Sequence, residues 1–177
     1  MIDTQTPDTA APEILRFGYG VTTLGSIVVA ESLHGIVALF IGHDRERLLR
    51  ELKDAFPEAE LVHEQIGLAQ TLTKATAQIN APQLSAGLTL DVRGSPVELA
   101  VWNALRAIPP GETRTYGAIA QSLPITATAQ EVGAACAANR IAVAVPCHRV
   151  VKSDGSISGY RWGVQHKRRL INMEGVA

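Results

Sequence analysis

Apolar residues in the first half of the chain follow two spacings, which together predict a lobe of mixed strands and helices. Strands are predicted where β-branched and other apolar residues run together, at residues 25–30, 35–41 and 88–92. Residues 31–35 read as the hairpin turn between the first two strands. Over residues 44–56 the apolar positions recur at helical spacing until Pro57 ends the helix, and a weaker helix is predicted over residues 66–79.

The second half is predicted to be mainly helical, and its first helix carries a strong start signal. Ser95, Pro96 and Glu98 combine an N-cap side chain, a proline at the first helical position and an acid that completes a capping box. Apolar side chains then repeat on one helical face until residues 109–112, a Pro-Pro-Gly-Glu sequence, end the helix.

Two shorter helices follow, with the outline of a helix-turn-helix. Thr115 is placed to cap the first, which runs to Leu123, and after a turn near Pro124 the second covers residues 129–138. Glycine and alanine make up most of the second helix, so its backbone can approach another surface closely. That surface is either another part of the protein or the groove of a nucleic acid, and the composition alone leaves both interpretations open.

Composition and charge narrow the class of protein. With 177 residues and 46% hydrophobic content the chain can bury a core, and no apolar run is long enough to span a membrane. Only residues 1–12 look loose, and they lack the layout of a signal peptide. Residues 101–177 hold nine Lys and Arg against four Asp and Glu, whereas residues 1–100 hold seven against thirteen. The basic half permits phosphate binding, although chance segregation of charge explains the difference about as well.

The two cysteines have different surroundings. Residues 141–145 are predicted to form a strand that ends at Pro146, which would expose Cys147 at the strand end. Cations that could lower the pKa of this thiol and make it a nucleophile are His148, Arg149, Lys152 and Arg161. A buried, unreactive Cys147 is an equally good interpretation, and Cys136, among alanines, fits that interpretation better. With only these two cysteines a reducing, cytoplasmic setting is expected, and a disulfide is not.

Several motifs resemble those of the O6-alkylguanine-DNA alkyltransferase family, especially the carboxy-terminal domain of the bacterial Ada protein. They are PCHRVV at residues 146–151, SGYRWG at residues 158–163, ACAAN at residues 135–139 and LDVRGSPVELAVWNALRAIPPGETRTYGAIA at residues 90–120. The resemblance covers residues 17–174 in the family's order and spacing. A set of this length is highly specific, whereas a bare Cys-His pair would mean almost nothing.

The resemblance implies an α/β (α+β) fold in two lobes, after the loose segment at residues 1–12. Residues 13–92 would form a small amino-terminal lobe of ribonuclease H-like strands and helices. Residues 93–177 would form the mainly helical alkyltransferase lobe, with the active-site cysteine and a helix-turn-helix of the winged-helix type. A monomer is expected.

The activity that the resemblance implies is direct reversal of DNA damage by a methylated-DNA–protein-cysteine S-methyltransferase. The thiolate of Cys147 attacks the alkyl carbon on O6 of guanine, and by extension on O4 of thymine, in double-stranded DNA bound at its minor groove. Because the alkyl group stays on sulfur as a thioether, each molecule acts once. No cofactor is implied, no metal site is expected in a lobe without cysteine ligands, and the expected location is the cytoplasm, at the nucleoid of a bacterium.

Family roles carry over residue by residue. His148 would take the thiol proton through a water, with Glu174 holding its ring, while Asn139 braces the turn of Cys147. Tyr116 would donate to guanine N3 and displace the phosphate of the flipped nucleotide. Main-chain groups around Cys147, Val150 and Arg161 would read the purine edge. Tyr160 and Trp162 would line the pocket, and Trp162 would narrow it. Residues expected to contact DNA are Thr115, Tyr116, Thr128, Ala129 and Gln130.

The main departure from the family is Gln130, which stands where an arginine fills the gap left by the flipped base. Glutamine offers no charge to phosphates, and Glu131 adds an acid to the helix expected to approach DNA. Weaker DNA binding or slower flipping is therefore expected, and a sensor of alkylated DNA with poor repair activity is the alternative function. A Cys-His-acid hydrolase is a third hypothesis, which differs in turning over many substrates.

Overall fold

The structure, a computed structural model, describes residues 11–175. Of the loose segment predicted at residues 1–12, the first ten residues lie outside the described part, and Ala11 and Pro12 are exposed and belong to no helix or strand. The prediction of a mixed α/β fold is confirmed. No helix of the described part is long and apolar enough to cross a membrane.

A four-stranded sheet dominates the first half. Its strands are β1 (Ile14–Thr22), β2 (Gly25–Glu31), β3 (Ile36–Gly42) and β4 (Glu60–His63), in the order β3-β2-β1-β4. β2 lies antiparallel to both β1 and β3, whereas β4 joins β1 in parallel. The predicted hairpin is confirmed as β2 and β3. The other two strands are not predicted, because Arg16, Gly18 and Gly20 interrupt the apolar run of β1 and β4 has only 4 residues.

Both faces of this sheet are covered, which explains the unbroken apolar runs of β2 and β3. Neighbouring residues of a strand point to opposite faces, so that Val28 packs in one hydrophobic cluster and Val29 in the other. Helix α1 (Arg45–Ala55) covers the Val28 face and helix α2 (Ala69–Asn80) the Val29 face. Both helices are predicted, although α2 begins three residues later than expected.

Helices build most of the second half. They are α3 (Pro96–Arg106), α4 (Tyr116–Ser122), α5 (Ala129–Ala137) and α6 (Val164–Met173), with a short parallel pair of strands, β5 (Arg114–Thr115) and β6 (Val150–Val151). The capping box predicted at Ser95 is confirmed: its hydroxyl accepts from the Glu98 amide, and the Glu98 carboxylate accepts from the Ser95 amide. α4 packs against α5 as the predicted helix-turn-helix, with Thr115 as the N-cap of α4. α6 is not predicted, because its first six residues are mostly polar.

Two predicted strands are wrong. Residues 88–92 pair with the sheet only at an isolated bridge between Leu90 and Ile36. The chain then turns into α3, so no further pairs of a strand form. Residues 141–145 form a turn with isolated bridges instead of a strand. The reason is the side chain of Asn139, which bonds to the main chain at both ends of that segment and so competes with strand pairing.

One hydrophobic cluster runs from the sheet into the helices of the second half. Trp102 of α3 belongs to it, and its indole Nε1 donates to the Ala135 carbonyl at 2.8 Å, which ties α3 to α5. Gly94 lies against the same ring, since a Cβ built there would be 2.5 Å from Trp102 Cζ3. The absence of a side chain at Gly94 therefore lets the indole reach its position.

We expect Gly94→Ala to lower the free energy of unfolding by about 1–3 kcal/mol, because the new methyl group must displace the packed Trp102 ring. Gly117→Ala is the control: nothing lies within 4 Å of a Cβ at this helical position. Alanine there should raise the free energy of unfolding by about 0.5–1 kcal/mol. Urea denaturation measures both variants, and equal stabilities would contradict the packing argument.

Candidate active site

Cys147 begins a single turn of 3-10 helix, Cys147–Arg149, which the side chain of Asn139 holds in place. Asn139 Nδ2 donates to the Val145 carbonyl at 3.0 Å and to Cys147 Sγ at 3.3 Å. Asn139 Oδ1 accepts from the Ile141 amide at 2.9 Å. Asn139 is buried, so these bonds are shielded from competition by water. They fit the brace that the resemblance assigns to this residue.

The chain between Asn139 and Cys147 is folded so tightly that Val143 lies in the left-handed region, with a φ of 67°. A β-branched residue rarely adopts this conformation, because its Cβ crowds the backbone at a cost of about 1–2 kcal/mol. The Cys147 amide donates to the Val145 carbonyl at 2.9 Å and helps to hold the turn closed. Strain is thus localised in the segment that positions the thiol.

Cys147 is buried, whereas the predicted strand end would have exposed it; only 3% of its surface is accessible. The reason is that residues 141–145 turn into the core instead of forming a strand. Cys147 nevertheless lines a cavity of about 270 Å³, here called the thiol cavity. The lining residues are Tyr116, Gly133, Cys136, Ala137, Cys147, Gly159, Tyr160 and Arg161. A nucleophile therefore faces a space large enough for a small ring system.

Glu174, the residue that ends α6, binds two side chains of the cysteine turn. His148 Nε2 lies 2.8 Å from Glu174 Oε1, and Arg149 Nη2 donates to the same oxygen at 2.7 Å. Arg149 Nε donates to both carboxylate oxygens at 3.1 Å. Burial alone would raise the pKa of Glu174, but the hydrogen bonds from His148 and Arg149 lower it to about 2. The carboxylate is therefore ionised.

The protonation of His148 follows from this pairing. Burial lowers the pKa of His148, while the hydrogen bond with Glu174 raises it in part, so the imidazole is neutral at pH 7. An ionised carboxylate can only accept, and the proton must therefore sit on Nε2. Nδ1 is left as the basic nitrogen, and it bonds to no other protein atom of residues 11–175. This nitrogen is the one able to take a proton from the thiol.

The thiol itself is protonated at rest. Burial raises the pKa of Cys147 to about 11, although the hydrogen bond from Asn139 and the charges of Lys167 and Arg161 lower it in part. A thiol with this pKa holds its proton at neutral pH and becomes a nucleophile only when a base removes it. The site therefore needs its histidine.

Three of the four cations predicted to activate Cys147 do not act in that way. His148 is neutral, Arg149 is bound to a carboxylate, and Lys152 is exposed. Arg161 is the fourth, and it lines the thiol cavity.

Lys167 of α6 is a residue of this site that is not predicted. It is 1% exposed, its Nζ donates to two main-chain carbonyls at 2.9 and 3.3 Å, and it lies 5.9 Å from the centre of the Tyr116 ring. No carboxylate of the described residues pairs with it, so its charge acts on the nearby thiol. The signal that could have identified it is its place on the apolar face of α6, with Leu170 and Ile171.

The aromatic residues divide between two cavities. Tyr116 and Tyr160 line the thiol cavity, and burial raises the pKa of both phenols, so both are proton donors at neutral pH. Trp162 lies in a neighbouring cavity instead, with its ring 5.4 Å from that of Tyr160 in an edge contact and 6.5 Å from that of Phe40. It can therefore narrow the thiol cavity only through Tyr160.

Val150 and Arg161 were grouped by the resemblance but differ in position. Val150 is buried in β6, and its amide donates to the Cys147 carbonyl within the turn, so that it supports the turn and does not line the cavity. Arg161 is exposed and lines the thiol cavity.

The residues predicted to contact DNA lie at the starts of α4 and α5. Thr115 and Tyr116 are half-buried, whereas Thr128, Ala129 and Gln130 are exposed. Glu131 is exposed too, but its carboxylate accepts from the Thr128 amide at 2.8 Å and completes a capping box. This acid therefore stabilises the start of α5.

Cys136 also lines the thiol cavity, and both cysteines are free. Burial raises the pKa of Cys136 to about 12, so this thiol is also protonated at neutral pH. Residues 11–175 contain no cluster of three His, Cys, Asp or Glu side chains that could hold a metal ion.

Comparison with known sequences gives matches over most of the chain. Residues 96–176 match the family model described as 6-O-methylguanine DNA methyltransferase, DNA binding domain. The chain is 39% identical over 160 residues to the bifunctional transcriptional activator/DNA repair enzyme Ada of Escherichia coli, and spans 45% of the length of that relative. It is 34% identical over 149 residues to the inducible methylated-DNA–protein-cysteine methyltransferase of Bacillus subtilis, covering 82% of each chain.

Solved structures share the fold. A crystal structure of Mycobacterium tuberculosis OGT in complex with DNA superposes with a TM-score of 0.74 at 28% identity, over 90% of this chain and 92% of that one. The Mycobacterium tuberculosis O6-methylguanine methyltransferase gives a TM-score of 0.71 at 28% identity, over 90% and 91%.

We expect Glu174→Gln to remove much of the acid sensitivity of the fold. The pKa of Glu174 is lowered from 4.5 to about 2, so its charge stabilises the protein above pH 4.5, and this contribution is lost as the pH falls from 4.5 to about 2. It amounts to at most about 3 kcal/mol. Urea denaturation at about pH 7 and about pH 3 should show a variant that is less stable at pH 7 and less dependent on pH.

Glu58→Gln is the control for this measurement, because Glu58 is an exposed carboxylate. The free energy of unfolding of this variant should depend on pH in the same way as that of the unmodified protein. If the free energy of unfolding changed with pH equally in the unmodified protein, Glu174→Gln and Glu58→Gln, the buried carboxylate would not be the cause of the acid sensitivity.

Proposed function

This chain belongs to the methylated-DNA–protein-cysteine methyltransferase family, and we propose that it repairs DNA by moving an alkyl group, most simply methyl, from O6 of guanine to Cys147. One observation carries the proposal: a buried thiol and a neutral histidine share one turn beside a cavity of about 270 Å³, and an ionised glutamate at the end of α6 bonds to that histidine. The same displacement extends to O4 of thymine. The proposed transfer uses the side chains of the site and one bridging water.

The first step is removal of the thiol proton. His148 Nδ1 accepts it through a bridging water, since no direct bond joins the ring to Cys147 Sγ in the described residues. Glu174 then stabilises the imidazolium through Nε2. The thiolate attacks the alkyl carbon, the S–C bond forms as the C–O6 bond breaks, and the electron pair of that bond stays with guanine.

The departing purine needs a proton, and Tyr116 is the donor in this proposal. Its phenol lines the thiol cavity and is protonated at neutral pH, because burial raises its pKa. The ammonium of Lys167, 5.9 Å from the ring centre, favours the negative charge that forms as the proton moves to guanine N3. The thioether on Cys147 has no leaving group that restores the thiol, so each molecule acts once.

α5 is the element proposed to meet the minor groove. Gln130, Gly133, Ala134 and Ala137 lie at spacings that place them on one face, which is exposed or half-exposed. Gly133 and Ala137 also line the thiol cavity, so that face borders the place where a flipped base would enter. Small side chains allow a close approach of the helix to DNA, and contact with groove and phosphates tolerates many sequences.

The cytoplasm, at the nucleoid of a bacterium, is the location that we propose. The two free thiols of the protein suit a reducing compartment, and the substrate of the protein would be chromosomal DNA. A sensor of alkylated DNA remains the second candidate, and the exposed Gln130 is the observation that favours it.

We expect one equivalent of methyl on Cys147 when the protein is incubated with excess duplex carrying O6-methylguanine. Intact mass and peptide mapping should give a single added methyl, absent from Cys147→Ser and retained in Cys136→Ser, the control thiol of the same cavity. Binding without an adduct would favour the sensor. Release of methyl over many turnovers would favour a hydrolase.

We expect Gln130→Arg to speed the repair of duplex DNA several-fold and Gln130→Ala to slow it, because the side chain at this position would replace the flipped base in the stack. Single-turnover rates with duplex and single-stranded O6-methylguanine oligonucleotides measure the effect. The ratio of the duplex rate to the single-strand rate should rise in Gln130→Arg. In a single strand no gap in a base-pair stack has to be filled, so the residue at position 130 should matter less there. An unchanged ratio would count against contact between Gln130 and the duplex.

A further inference from the structure

The side chain of Arg161 stands between two cavities. It lines the thiol cavity of about 270 Å³ and also a neighbouring cavity of about 620 Å³, here called the second cavity. Among the lining residues of the two, Arg161 is the one that they share. An alkyl group on guanine that is longer than methyl would therefore meet this guanidinium when it extends from Cys147 towards the second cavity.

The guanidinium is held in place but retains free donors. Nη1 donates to the Asn139 carbonyl, and the group lies over two aromatic rings, 4.9 Å from the centre of Phe40 and 5.5 Å from that of Trp162. No carboxylate of residues 11–175 forms a salt bridge with it. Burial and the nearby charge of Arg140 lower the pKa of Arg161, and the charge of Glu51, which also lines the second cavity, raises it only in part.

We propose that Arg161 is a specificity-determining residue that binds an anionic group on the alkyl adduct, so that the protein prefers O6-carboxymethylguanine to a neutral adduct of the same shape. The inference rests on the proposed function and adds the class of adduct that the site selects. A carboxylate on the alkyl carbon would meet the free N–H donors of a guanidinium whose plane is already fixed by stacking.

The preference has an electrostatic reason. When the thiolate of Cys147 attacks the methylene carbon, a carboxylate on that carbon brings a second negative charge next to the sulfur. A cation at this point offsets their repulsion. The S–CH₂ bond forms, the CH₂–O6 bond breaks with its electron pair going to guanine, and the thiol proton is balanced by the proton that guanine gains. The carboxylate remains on the S-carboxymethyl cysteine.

A DNA phosphate is the other anion that an arginine near this site could bind. The position of Arg161 favours the adduct, because its side chain lines the same cavity as the reacting sulfur and its charge lowers the pKa of Cys147. A phosphate contact would affect every substrate alike, whereas an adduct contact affects only the anionic one. The two sources can therefore be separated by substrate choice.

The test compares single-turnover rates of the full chain with three duplexes, which carry O6-carboxymethyl-, O6-carbamoylmethyl- or O6-methylguanine. The carbamoylmethyl group has the shape of carboxymethyl without its charge. We expect the ratio of carboxymethyl to carbamoylmethyl rates to fall about tenfold in Arg161→Gln, the loss of one charge-assisted interaction. Arg161→Lys keeps the charge and should restore part of the ratio, as a readout that loss of packing alone would not give.

An unchanged ratio in Arg161→Gln would overturn the proposal, and that includes equal slowing of all three substrates, the result expected for a phosphate contact. A fall of the ratio that Arg161→Lys does not restore at all would also overturn it, since the effect would then come from shape. The methyl duplex keeps the two proposals distinguishable. If the unmodified protein forms no adduct even with O6-methylguanine, the transferase function fails, whereas normal methyl transfer without charge selectivity removes only the role of Arg161.

Discussion

A carboxylate that is buried away from water needs a partner for each oxygen, and this requirement at Glu174 organises the site. Arg149 and His148 meet it, and Arg149 also donates to the carbonyls of Ile108, after α3, and Pro82, after α2. One guanidinium therefore joins parts of the chain that are far apart in sequence. The turn that carries the thiol cannot shift without breaking these bonds, so the nucleophile is positioned by a charged cluster packed behind it.

Burial acts on the thiol and on its base in ways that complement each other. It raises the pKa of Cys147, which keeps the sulfur protonated, and it lowers that of His148, which keeps the imidazole free to accept a proton. A protonated resting thiol is protected from oxidation and chance alkylation, which suits a cysteine that would be consumed by the proposed transfer. The groups that would choose the substrate, Gln130 on α5 and Arg161 beside the cavity, take no part in the proton transfer. Neither donates nor accepts a proton in the proposed step, although the charge of Arg161 also lowers the pKa of Cys147 in part.

Features with a local cause could be predicted from the sequence. Helical spacing located α1, and the capping side chains of Ser95 and Thr115 located the starts of α3 and α4, because both signals depend on residues within one or two turns. The strand over residues 141–145 was wrong for a reason that lies outside the segment: its composition suits a strand, but the side chain of Asn139 bonds to both of its ends.

The sequence by itself therefore determined the starts of α1, α3, α4 and α5, the hairpin, and the choice of Cys147, His148 and Glu174 as candidate site residues. Only the tertiary structure decided the chemical state of those groups. Arg149 stands two residues from the thiol, yet its charge is bound by Glu174, 25 residues away, while Lys167 supplies the buried cation instead. Caps and periodicity depend on neighbours along the chain, whereas burial and pKa depend on neighbours that folding brings together.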